Sequence, residues 1–93
     1  MSFLLKDPDA LLDYAVDWGA DYLAGDALAS SSWAVSPDEP GGVSIASSAF
    51  DLLTTSVQVA GGEPGKTYRV SNLVTTASGR RDSRSVVLRV EKR

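Results

Sequence analysis

Ninety-three residues with neither cysteine nor histidine allow one modest hydrophobic core. They exclude disulfide staples, thiolate chemistry and the commonest general base and metal ligand. The net charge of −3 hides a division along the chain: residues 1–65 carry ten acids against Lys6 alone, and residues 66–93 carry eight bases against Asp82 and Glu91. Bases diluted by so many acids make no broad positive surface, so nucleic acid is a poor fit as partner. No apolar run has the length of a membrane span, and the apolar part of MSFLLKDPD is too short for an export leader. The expectation is a soluble domain with no membrane partner.

Residues 1–9 form an extended N-terminal arm, punctuated by Asp7-Pro8-Asp9, whose Phe3, Leu4 and Leu5 suit a sheet edge or a partner. Residues 10–93 make the single domain. In Leu11–Trp18, Leu12, Tyr14, Val16 and Trp18 alternate with Asp13, Ala15 and Asp17, which favours a strand. Leu11, Leu12, Ala15 and Trp18 also fit a helical spacing, with Asp7 or Asp9 as its cap. Gly19–Gly25 is a connection with a single helical turn carrying Tyr22 and Leu23. Asp26–Val35 is a strand with Leu28, Ser30, Ser32 and Ala34 on one face. Ala27, Ala29, Ser31, Trp33 and Val35 lie on the other, burying Trp33 with Val35.

Ser36–Gly42, rich in proline, glycine and acid, is a loop. Val43–Ile45 is a short strand, Ser47-Ser48-Ala49 a polar turn, and Phe50–Val59 a strand ending in Thr55, Val57 and Val59. The Gly61–Gly65 turn leads into a closing hairpin around Ser78-Gly79. Tyr68, Val70 and Val74 share one parity on its first strand, and Val86, Leu88 and Val90 on its second. Six or seven strands with little helix predict an all-β, immunoglobulin-like or fibronectin-like β-sandwich of about seven antiparallel strands, without a disulfide. A small partly open barrel is the alternative. Trp18, Trp33, Tyr68, Val70, Val86, Leu88 and Val90 are the expected core.

Catalytic chemistry finds no foothold. The serines lack a positioned base, and Lys6, Lys66 and Lys92 sit near a terminus or in a turn, without the spacing of an activated pair. Asp7, Asp9, Asp13 and Asp17 resemble a calcium loop only in their D-x-D opening; the central glycine and closing glutamate are missing. No catalytic, cofactor-binding or metal-binding residue is assigned, and no cofactor. Trp18, Tyr22 and Trp33 could stack on sugar, as in a carbohydrate-binding or adhesion module, although tryptophans in so small a chain more often anchor its core. The charge division can be satisfied within one domain or between neighbours arranged head to tail.

The runs DPDALLDYAVDW, GDALASSSW and VQVAGGEPGKTYRVSNLVTTASGRRDSRSVVLRV resemble a family of small immunoglobulin-like virion proteins of tailed phages and prophages, fibre–tail adaptors or minor tail proteins. The distinctive parts are Asp17-Trp18, Gly25-Asp26 with Trp33, Gly61-Gly62 with Gly65 and Tyr68, and Thr75-Thr76 with Gly79-Arg80 and Arg84-Ser85. The resemblance implies a non-enzymatic structural role in the virion, made in the host cytoplasm, joining tail, baseplate or neck to fibres or spikes in a symmetric ring of copies. No catalytic residues come with it. Phe3, Leu4 and Leu5 would lie on a neighbour's sheet edge, and Arg80, Arg81 and Arg84 would meet Asp13, Asp17 or Asp21 of a partner.

Overall fold

Period-two patterning folds into two facing sheets. The computed structural model describes residues 2–21 and 23–92, with all their side chains except those of Ser2, Phe3, Ala20 and Asp21. The elements are β1 (Ser2–Lys6), β2 (Leu12–Asp17), α1 (Trp18–Asp21), β3 (Leu28–Ser36), β4 (Val43–Phe50), β5 (Thr54–Gly61), β6 (Thr67–Thr76) and β7 (Arg81–Val90). One sheet has the order β1-β7-β6-β3, the other β2-β5-β4. The trios β3-β6-β7 and β2-β5-β4 match the two sheets of a constant-type immunoglobulin sandwich, with the first strand transferred to the edge beside the last.

The inward residues come from the parities the sequence displays. Val43, Val57 and Val59 of one sheet pack with Tyr68, Val70, Val86, Leu88 and Val90 of the other. A second cluster, Val16, Trp18, Leu23, Leu28 and Val74, closes one end. Gly62 stands where β5 leaves its sheet, at φ 111°; a Cβ there would lie 2.6 Å from Val90 Cγ2, so the chain needs glycine to pass that close.

Four expectations change. The strands are not all antiparallel: β1 runs parallel to β7, Leu4 beside Leu88 and Lys6 beside Val90. Residues 47–49 are not a turn, because β4 continues through a bulge between Ile45 and Ser47 to Phe50. The turn falls at Asp51–Leu53, where Asp51 Oδ1 accepts from the amides of Leu53 and Thr54 at 2.9 and 2.8 Å, an Asx turn that outweighs the leucines' apolar character. A bulge between Leu28 and Ser30 rotates the start of β3 and buries Leu28 on the same side as Trp33. Trp33 itself is half-buried, packing edge-on against Tyr14 with centroids 6.4 Å apart.

Candidate interaction surfaces

The polar side chains that the sequence suggests for chemistry mostly brace the frame. Trp18 is fully buried, and its indole N–H points at Thr55 Oγ1 (3.2 Å) and Asn72 Oδ1 (3.0 Å). Thr55 donates to the same Asn72 oxygen at 2.7 Å, while Asn72 Nδ2 donates to Ser31 Oγ and the Ser32 carbonyl at 2.9 and 3.0 Å. This network ties β5 of one sheet to β6 and β3 of the other. Buried Trp18 and half-buried Trp33 therefore offer no flat aromatic platform for sugar, and Tyr22 lies outside the described residues. Among the described residues no three acidic side chains gather as a metal site; Asp7 instead accepts the Asp9 amide at 2.8 Å.

The N-terminal arm is the edge strand of its own sheet. Leu4 packs against the core, Leu5 faces outward, and the Phe3 side chain lies outside the described ones. Lys6, a single basic residue in an acidic stretch, turns inward. Its ammonium donates to the carbonyls of Asp7, Ala10 and Gly61 at 2.9, 2.7 and 2.8 Å, matching three donors to three acceptors. Burial lowers its pKa, against the nearby charges of Asp7 and Asp9 that raise it.

The arginine-rich tip divides the same way. Arg80 reaches Asp26 Oδ2 at 3.2 Å and the Leu23 carbonyl at 2.9 Å, so its acid is Asp26 of its own chain. Asp26 is held well below the usual carboxylate range by the Ser78 hydroxyl first, then by Thr76, the Ala27 amide and Arg80. Arg84 shares the inward parity of Asn72 and lays its guanidinium 4.7 Å from the Trp18 ring centroid. Arg81, opposite Thr75, faces outward. Asp13 and Asp17 are exposed on β2, Asp13 accepting from Gln58 at 3.2 Å; the Asp21 side chain lies outside the described ones.

The two poles differ. At one, the Ser36–Gly42 loop and the turn before β6 are joined by charge: Glu39 accepts from Lys66 at 3.1 Å and from the Tyr68 hydroxyl at 3.0 Å. These contacts lower the Glu39 pKa, Lys66 first, and raise that of Lys66. Nearby Lys92 meets Asp9 at 2.7 Å. At the other pole Phe50, Leu52 and Leu53 are 45, 67 and 51% exposed. Their backbone is fixed: the Leu52 carbonyl accepts from Leu28 N at 2.9 Å and the Leu53 carbonyl from Gly19 N at 3.1 Å. Sequence patterning missed this knob because Leu52 and Leu53 suited a strand. The usable signal was Asp51 two residues before an amide.

A small sandwich whose internal polar groups hold its own frame presents a rigid apolar knob and open strand edges, surfaces suited to docking on other proteins. Comparison with known families agrees. The chain belongs to the family described as Podophage GP4 fiber-tail adaptor protein gp77, whose model matches residues 6–89. It is a structural, non-enzymatic protein of the phage virion, with tail and fibre components as its setting. No curated protein matches the chain.

Proposed function

We propose that this domain bridges the tail, at baseplate or neck, to fibres or spikes as a symmetric ring of copies, assembled in the host cytoplasm. The observation that carries this reading is the pinned knob of Phe50, Leu52 and Leu53 at the pole opposite the charged loops. Exposed leucines on a backbone already fixed by hydrogen bonds need little further ordering on docking, and they suit an apolar pocket in a tail or fibre protein. The charged pole, 42 Å being the long dimension of the molecule, is free for a second partner. Leu5, Asp13, Asp17 and Arg81 support further contacts from the flanks, joined by Phe3 and Asp21. Leu4, Arg80 and Arg84 act beneath them by holding the edge and tip in place. The test is a phage carrying Leu52→Ser with Leu53→Ser. The isolated variant should melt within a few degrees of wild type, while particles lose the adaptor or the fibre. Particles of wild-type composition would overturn the reading.

A further inference from the structure

Sorted by sheet, the charges fall on opposite sides of the sandwich. Outward strand positions of the β1-β7-β6-β3 sheet include Arg69, Arg81 and Arg89 and no acid among the described side chains, with Leu5 and Leu73 exposed among them. Glu91, just beyond β7, meets Arg89 at 2.7 Å. Outward strand positions of the β2-β5-β4 sheet include Asp13 and Asp17 and no base. Small side chains at Ala15, Ser47, Ala49 and Ser56 leave a hollow of about 450 Å³ there, bordered by Asp13 and Gln58. On the basic face, Leu73 lies between the positions of Arg69 and Arg81. An exposed leucine among arginines, and a hollow bordered by Asp13 with Asp17 further along the same strand face, pair apolar bulk with space and basic charge with acidic.

We infer that the outer face of the β1-β7-β6-β3 sheet docks on the outer face of the β2-β5-β4 sheet of a second copy, Leu73 entering the hollow and the arginines meeting Asp13 and Asp17. The inference rests on the ring of copies proposed above and supplies its contact. The contact is heterologous, each copy using both faces, and such contacts close into a ring when the rotation between copies divides the circle. The molecule measures 42 × 21 × 19 Å. One sheet face is therefore on the order of the ~800 Å² per partner that a specific interface buries.

Two variants of the full chain test this. Arg69→Glu with Arg81→Glu makes both faces acidic; Asp13→Lys with Gln58→Lys makes both basic. Sedimentation velocity should show the wild type associating at about 50 mM salt and at least about tenfold more weakly at about 500 mM, where screening is short-ranged. Each folded variant alone should associate about 100-fold more weakly or not at all, and their equimolar mixture should associate again. A wild type monomeric at both salt levels, variants that associate like wild type, or a mixture that stays monomeric would overturn the contact. Particle composition separates this from the broader reading. Charge variants incorporated at wild-type copy number overturn the face contact and leave the ring standing, whereas wild-type particles with one copy per tail overturn the ring.

Discussion

Asn72 is the residue on which the interior converges. Its amide oxygen accepts from Trp18 and Thr55, and its amide nitrogen donates to Ser31 and to the Ser32 carbonyl, which fills its capacity. Replacing it with alanine strips an acceptor from a fully buried indole and leaves a void between the sheets. We expect Asn72→Ala to cost about 3 kcal/mol, the sum expected of unsatisfied buried groups in one network. Thr55→Val keeps the volume and leaves Asn72 still accepting from Trp18, so about 1 kcal/mol is expected. Urea midpoints with unchanged m-values measure both, and equal losses would show that Asn72 is not the hub. The sequence hid this residue. It sits on the inward parity between Val70 and Val74, but periodicity is read from apolar side chains, and an asparagine there looks like a gap in the pattern.

The β6–β7 hairpin is held at its tip by one carboxylate from a distant connection. Asp26 accepts from Ser78 and Arg80, and the Ala77 amide donates to the Ala27 carbonyl at 2.8 Å. Because its pKa is depressed on folding, Asp26 contributes stability that is fully present above its unfolded value of about 3.9 and is lost as pH falls toward its folded one. Glu39 acts in the same direction at the other pole. The melting temperature of the wild type should therefore fall as pH drops below about 5, and Asp26→Asn should melt lower at neutral pH with a shallower acid dependence. Superimposable slopes would remove Asp26 from the account. At this scale the hairpin was the most legible element, since Tyr68, Val70 and Val74 against Val86, Leu88 and Val90 leave little choice of face. The arginine block was legible as charge but not as geometry: composition cannot tell whether Arg80 finds its acid across an interface or in its own chain. β4 was the least legible, because serine and alanine carry almost no periodic signal, and the leucines that should mark a strand stand on the turn. β1 was legible as an apolar edge, through Phe3, Leu4 and Leu5, but not in its pairing, since its partner strand lies at the far end of the chain.

That pairing shapes how the whole molecule closes. β1 is five residues long and joins the sheet only by lying parallel to β7, with residues 3 and 87 side by side. Bringing them together closes nearly the entire chain into a loop, whose entropic cost is offset only after β7 is already in its sheet. The hairpins β4–β5 and β6–β7 need no such closure and hold Val57, Val59, Val70 and Val86 of the main core. β1 should therefore dock after the rate-limiting step. Leu4→Ala, at a half-buried position packed on that core, is expected to cost about 1–2 kcal/mol, below the range for a fully buried leucine. The loss should appear as faster unfolding, about tenfold, with the folding rate nearly unchanged, whereas Val57→Ala should slow folding. Stopped-flow chevrons resolve the two limbs, and a Leu4→Ala chain that folds more slowly in proportion to its lost stability would place β1 in the nucleus instead. A late strand is also an edge that opens first, so truncating residues 1–6 removes a fold element, including the Lys6 plug, along with any contact surface. Point changes at the outward Leu5 separate those roles: they leave the pairing with β7 in place and alter only what the face presents to a partner.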